Sequence, residues 1–296
     1  MIIRTLEIGV AVKDIKQAGQ SLKSIFNASS SRLLKAPDYN MAARMFRIGN
    51  IEFELMEPLA QAGMIENFIR QRGEGLHHIA FEVDDIHSTL GTIKRRGLKV
   101  INREPLSTHG VKAAFLHPES FAGVLIELIE GNSRWVDDRP LPVTPASPEF
   151  VEAAGVQGIL AVGVLVEDVS ETLKIYSSAF APESSDGLGF YLNPTGHCAW
   201  RVGNIDLFFI EMSRCDMFLR KFSNAKRTGL HHVVLKVNDL NKSIEFLNTE
   251  GIDFDLSKSH PLDDSKFVVI NPTELNGVSV LLKEKRFPES RILNLK

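Results

Sequence analysis

The stretch Gly75-Leu76-His77-His78-Ile79-Ala80-Phe81-Glu82-Val83 decides how this chain is read. Ile79, Phe81 and Val83 alternate with His78, Ala80 and Glu82, the period-two pattern of a β-strand with one apolar face. The second face carries the His78 imidazole beside a small residue, and simple alternation puts His77 on the face opposite His78. The stretch returns 154 residues later as Gly229-Leu230-His231-His232-Val233-Val234-Leu235-Lys236-Val237. That recurrence makes the chain an internal duplication whose copies can be compared position by position.

Working outward, Leu6, Ile8, Val10 and Val12 form one face of a first strand, and Thr5, Glu7, Gly9 and Ala11 the other. Asp14 then caps a helix running to about Phe26. Arg44–Ile48 leads through Gly49-Asn50 into Ile51–Met56, and the unit closes at Pro58 as a βαβββ module. A short helix over Met64–Gln71 delivers the chain to the histidine strand. A helix capped by Asp84-Asp85 and ended at Gly97 follows, then strands at Leu98–Ile101, Lys112–Leu116 and Gly123–Glu130. At the 154-residue offset Gly9 matches Gly163, Gly49-Asn50 matches Gly203-Asn204, and Gly123 matches Gly277.

The fold class expected is therefore α+β, with four βαβββ modules at 5–58, 75–130, 159–212 and 229–283. They group into two domains, 1–132 and 156–285, joined by a Pro-rich linker at 133–155 and followed by a tail at 286–296.

Composition limits the function classes. The 296 residues suffice for two domains with their own cores, and 44% apolar with 24% charged residues is ordinary for a soluble protein. A net charge of -3 gives no broad attraction to nucleic acid or to an anionic membrane. Two cysteines make neither a disulfide framework nor a four-cysteine zinc site, and no long apolar run marks a leader or a membrane span. The expected location is the cytoplasm, and the expected partner a small-molecule substrate.

Four candidate metal ligands stand on strands of the first half: Glu7, Glu54, His78 and Glu127. Glu7 and His78 are 71 residues apart, and Glu54 and Glu127 are 73 apart, so they hold like places in two modules. Modules related by a pseudo-twofold axis bring all four into one cup. Glu127 is the sharpest case, because Leu125 and Ile129 share its strand face and a carboxylate there is costly unless a metal, proton or partner satisfies it. His109 and Lys112, near the predicted rim, are candidate substrate contacts.

At these residues a resemblance becomes specific. Ile65-Glu66-Asn67-Phe68, Gly73 through Ile86, Phe115-Leu116-His117-Pro118-Glu119-Ser120 and Gly123 through Leu128, with Glu54-Leu55-Met56-Glu57-Pro58, resemble the methylmalonyl-CoA epimerase family. That family lies in the vicinal oxygen chelate superfamily, with glyoxalase I, extradiol dioxygenases and antibiotic-resistance proteins. The resemblance covers residues 5–130; the second half matches only the general module pattern. It implies two domains with curved mixed sheets and one divalent metal ion held by Glu7, Glu54, His78 and Glu127. Such epimerases carry histidine where this chain has Glu7, and some carry an extra acid where it has Met41-Ala42-Ala43-Arg44. Three carboxylates and one imidazole suit Mg, Mn, Fe or Co at least as well as Zn.

In the second half the equivalent positions are Ala161, Phe208, His232 and Leu281. One ligand among large apolar side chains cannot hold a catalytic metal. Pairing module one with module two alone collects every ligand, so the unswapped arrangement is expected, as a monomer with an internal pseudo-dimer or as a homodimer. The implied function is a metal-dependent enzyme acting on a small carbonyl, carboxylate or thioester substrate through a metal-stabilised enolate, with Glu127 or Glu7 moving the proton in an epimerase- or isomerase-like reaction. A glyoxalase-type lyase or Fe(II) dioxygenase is the alternative among enzymes, and a metal-free small-molecule binding or resistance protein the alternative from another class.

Overall fold

A computed structural model of the chain describes residues 2–108, 110–131, 153–180, 190–192, 198–214, 227–257 and 265–284. Residues 133–152 of the expected linker, the tail 286–296 and His109 lie outside the described residues.

Nine strands of the first half build one mixed sheet: β1 (Ile2–Ala11), β2 (Ser29–Ser30), β3 (Leu34–Ala36), β4 (Met41–Ile48), β5 (Ile51–Pro58), β6 (Gly75–Val83), β7 (Leu106–Thr108), β8 (Val111–Leu116) and β9 (Leu125–Glu130). Their order is β2-β4-β5-β1-β6-β9-β8-β7, with β3 also on β4. At the centre β1 runs antiparallel to β6, the two outer pairs β1–β5 and β6–β9 are parallel, and modules one and two thus share a sheet. The second half repeats this with β10 (Val156–Val166), β11 (Phe190–Leu192), β12 (Cys198–Val202), β13 (Ile205–Glu211), β14 (Gly229–Val237), β15 (Phe254–Ser257), β16 (Phe267–Ile270) and β17 (Ser279–Lys283).

Each module sends a helix across one sheet face. In α1 (Ile15–Phe26) the residues Ile15, Ala18, Leu22, Ile25 and Phe26 form the buried stripe, and Asp14 Oδ1 accepts the Lys16 and Gln17 N–H groups at 2.7 and 3.0 Å. Asp85 caps α3 (Ile86–Arg95) through the Ser88 N–H, and Asp239 caps the matching helix Leu240–Thr249 of the second half. The helix α2 (Met64–Arg72) is different. Its Ile65 and Ile69 pack on Ala11, Met41, Ala43 and Met56, on the face away from the other helices.

One expected strand is replaced. Leu98–Ile101 makes only a single bridge, Val100 to Leu116, while β7 takes the remaining edge of β8. The Asn102 side chain caps the Phe115 N–H at 2.9 Å and ends the pairing there.

The helix-bearing faces of both sheets meet in one apolar core, with Phe81 and Phe121 of the first half against Tyr176, Phe180 and Trp200 of the second. The contact is pseudo-twofold. Asn50 Oδ1 accepts the Ile159 N–H at 2.9 Å, and its repeat mate Asn204 accepts the Thr5 N–H at 3.1 Å. Gly75 approaches Gly277 as Gly229 approaches Gly123. No helix among the described residues is long and apolar enough to cross a membrane.

Candidate metal centre

The centre lies on the sheet face of the first half that α1 and α3 leave uncovered. Alternation along β1 turns Glu7, Gly9 and Ala11 to this face. Gly9 is flanked by Glu54 on β5 and His78 on β6, and Glu127 of β9 enters from beside Ala80. Gly9 is glycine for a steric reason, since a Cβ there would lie 2.1 Å from the His78 ring. The missing side chain is the cradle in which the imidazole rests.

The four side chains predicted from the sequence converge. From His78 Nε2 the nearest carboxylate oxygens are Glu127 Oε2 at 3.3 Å, Glu54 Oε2 at 3.6 Å and Glu7 Oε1 at 3.8 Å. Donor atoms of Glu7, Glu54 and His78 all lie within 4.8 Å of one another. All four residues are buried. Below them α2 closes one end of the cup, and Phe115, opposite Glu127 on β8, meets the His78 ring edge-on at 6.1 Å.

Burial and the neighbouring carboxylates set the protonation. Burial pushes Glu7 up to about 7 and Glu54 up to about 8, with Glu127 adding to the rise in Glu7 and Glu7 to that in Glu54. For His78 burial acts downward, but the facing Glu127 and Glu7 carboxylates outweigh it and hold the imidazole at about 10. Three clustered carboxylates cannot all stay charged in a dry site without protons or a cation. Two buried atoms of the cluster, Glu7 Oε2 and His78 Nε2, have no hydrogen-bond partner. A hard divalent cation satisfies both, so the donor set fits such an ion.

The other expectations fare differently. The Lys112 ammonium bonds Glu130 at 2.6 Å, and Glu130 in turn accepts the Ile86 N–H at the start of α3. Lys112 pairs with Glu130 in the β8–β9 register, three residues from Phe115, and therefore stands on the helix side of the sheet. It lines no part of the cup.

His77 does not sit on the face opposite His78. The register steps from Gly9–His78 to Val10–Leu76, so His77 is the extra residue of a β-bulge. The bulge swings its ring toward α2, 4.8 Å from Phe68, and brings its Nδ1 to 3.1 Å from His78 Nδ1. Burial first, then His78 and Arg72, lowers His77 to about 3, so it is neutral. A cation also stands on the cup face. Arg47 pairs with Glu52 at the end of the cup away from α2, and the repeat comparison signals it, since Arg201 and Asp206 form the same pair.

The second cup is filled. Ala161, Phe208 and Leu281 join Leu160, Leu165, Ala199, Ile210, Val234, Phe267 and Val269 in one apolar cluster. His232 keeps its bulged neighbour, His231, with the two Nδ1 atoms 2.8 Å apart, and Gly163 cradles it as Gly9 cradles His78.

Two βαβββ modules sharing one sheet and an acidic, histidine-bearing cup define a protein of the vicinal oxygen chelate fold. The family model of the Glyoxalase/Bleomycin resistance protein/Dioxygenase superfamily matches residues 7–115, and the chain belongs to that superfamily. It is 31% identical over 127 residues to the mitochondrial methylmalonyl-CoA epimerase of Homo sapiens, covering 42% of this chain and 72% of the relative. It is 31% identical over 131 residues to an ethylmalonyl-CoA/methylmalonyl-CoA epimerase of Cereibacter sphaeroides, covering 43% of this chain and 98% of that one. Among solved structures, a hypothetical protein of Bacillus halodurans is 33% identical, covers 45% of this chain and 98% of its own, and has a TM-score of 0.42.

Proposed function

We propose that the chain is an epimerase-like enzyme with one working cup, in its first half, that moves a proton at the carbon beside a carbonyl or thioester. The observation carrying this reading is the convergence of Glu7, Glu54 and Glu127 on His78 in a buried, partly apolar cup. Glu7, Glu54, His78 and Glu127 would hold a divalent metal, which when bound supplies Lewis-acid polarisation of substrate oxygens. The names of the relatives point to 2-carboxyacyl-CoA thioesters as the first substrates to try.

The chain's own residues do the rest. Glu127, opposite Phe115 on β8, is the carboxylate we assign to proton removal, and Glu7 the acid that returns the proton. The strand β4 supplies no acid: Met41 and Ala43 lie under α2, and Met45 stands opposite Glu54. Met45 offers an apolar contact for the acyl branch. Arg47, held by Glu52, places a positive charge at the open end, where a substrate carboxylate would find it.

The test is α-proton exchange into methylmalonyl-CoA in D2O, catalysed by the full chain loaded with Mn2+ or Co2+ and followed by NMR. Glu127→Gln is expected to lower the exchange rate about 10²–10⁴-fold. No exchange by the loaded wild-type chain, with this thioester and with other 2-carboxyacyl-CoA esters, would sink the reading.

A further inference from the structure

We infer that His77 is a positioning residue that fixes which ring nitrogen of His78 faces the cup; this rests on the proposed metal site. The observation is the contact between the two Nδ1 atoms, 3.1 Å apart. Two imidazole nitrogens in such contact share one proton, so one ring donates and the other accepts. His78 Nε2 is the nitrogen that faces Glu7, Glu54 and Glu127 and has no hydrogen-bond partner. To offer a lone pair there, a neutral His78 must carry its proton on Nδ1. It is then the donor of the pair, and His77 Nδ1 is the acceptor.

The surroundings hold His77 to that role. The β-bulge aims its ring along the strand instead of through the sheet, and Phe68 of α2 meets it edge-on at 71°. His78 cannot swing away, because Gly9 leaves one slot for its ring between β1 and β6. The second half supplies an internal control. His231 and His232 make the same pairing at 2.8 Å, but in a cup lined by Ala161, Phe208 and Leu281. The pairing belongs to the strand in both halves; in the first it aims a nitrogen at Glu7, Glu54 and Glu127, positions held in the second by Ala161, Phe208 and Leu281.

The experiment is Mn2+ titration of the full chain, read by EPR of the free ion, with the melting temperature of each metal-free variant as the folding check. His77→Phe is expected to bind Mn2+ about 10–100-fold more weakly. His77→Asn keeps an acceptor oxygen and is expected to recover binding to within about fivefold of wild type. His231→Phe is expected to leave Mn2+ affinity unchanged. In the unmutated chain loaded with Zn2+, histidine side-chain 15N–1H spectra should show His78 protonated on Nδ1.

Wild-type affinity in His77→Phe overturns the inference. So does equal weakening in His77→Phe and His77→Asn, which reduces His77 to packing, and so does a His78 proton found on Nε2. A wild-type chain that takes up neither Mn2+ nor Zn2+ is a separate failure, of the metal site itself.

Discussion

Gly9 and His78 face each other across β1 and β6 so closely that a Cβ on Gly9 would stand 2.1 Å from both Cε1 and Nδ1 of the imidazole. No side chain survives at that separation without the ring moving. Gly9→Ala is therefore expected to displace the imidazole from the carboxylates and to weaken Mn2+ binding at least about tenfold. Gly163→Ala meets His232 as closely, but in the cup where Ala161, Phe208 and Leu281 stand in place of the three glutamates. It should cost about 1–3 kcal/mol of stability by overpacking and leave Mn2+ binding alone. Calorimetric titration and thermal melting of both variants separate the outcomes. A Gly9→Ala chain with wild-type affinity would mean that His78 is not a ligand.

The pH response of the metal-free chain follows from the same cluster. Glu7 and Glu54 have folded-state values of about 7 and 8 against an ordinary 4.5, so the folded chain holds their protons more tightly than the unfolded chain does. Their contribution to stability is complete below about 4.5 and is lost as pH rises through 7 and 8. His78, held at about 10 against 6.5, has the same sign over a higher window. In EDTA the melting temperature is expected to fall from pH 6.5 to pH 8.5, above the range in which His77 and His231, both lowered by burial, act with the opposite sign. With Mn2+ the increment in melting temperature should grow over that range, because the metal competes with those protons. Glu54→Gln should flatten the metal-free fall. A melting temperature in EDTA that rises across this range would contradict the assignment.

The four cup residues were legible because two independent signals agree on them. Period-two alternation puts each on a strand face, and the repeat register puts Glu7 with His78 and Glu54 with Glu127. The same reasoning failed at His77, since alternation assumes an unbroken ladder and a bulge inserts a residue into it. At Lys112 the parity was available: counted from Phe115, which pairs with Glu127, Lys112 falls on the other face. What could not be read was that Glu130, whose Oε1 takes the Lys112 ammonium, also accepts the Ile86 N–H on Oε2. Arg47 is not legible in the sequence, because an Arg–Glu pair around a hairpin turn reads as surface until the cup is seen to lie beneath it.

The degenerate half has a measurable purpose at β1. A register shift falls between Thr5 and Glu7, and the Thr5 N–H donates across the pseudo-twofold to Asn204 Oδ1. Asn204 thus braces the strand two residues before a proposed ligand. Asn204→Ala leaves the Thr5 N–H unmet and is expected to cost about 1–3 kcal/mol. It should also weaken Mn2+ binding a few-fold through Glu7. Asn50→Ala breaks the symmetric bond to Ile159, with a similar cost but no effect on Mn2+, because β10 carries Ala161 where β1 carries Glu7. Urea melts paired with Mn2+ titrations read both quantities. Equal Mn2+ affinity in the two variants would show that the second half supports the fold without reaching the site.

Tyr176 marks a difference between the two sides of the interface. Its ring packs among Phe121, Phe180, Trp200 and Phe209, and its hydroxyl donates to the Phe121 carbonyl at 3.2 Å. Its repeat mate is Leu22, which with Leu275 and Val280 lines an apolar cavity of about 20 Å³. The interface is tight on one side of the pseudo-twofold and slack on the other. Tyr176→Phe removes one buried hydrogen bond and should cost about 1 kcal/mol. Tyr176→Leu copies the slack side and should cost about 2–4 kcal/mol through the space it opens. Leu22→Met, filling the existing cavity with a flexible side chain, should be neutral or stabilising by up to about 1 kcal/mol. Urea unfolding of the three variants gives the order, and Mn2+ affinity should stay constant across them, since Tyr176 and Leu22 pack on the side of the sheets away from the cup. If Tyr176→Leu proved no worse than Tyr176→Phe, the aromatic side would not be what holds the two halves together.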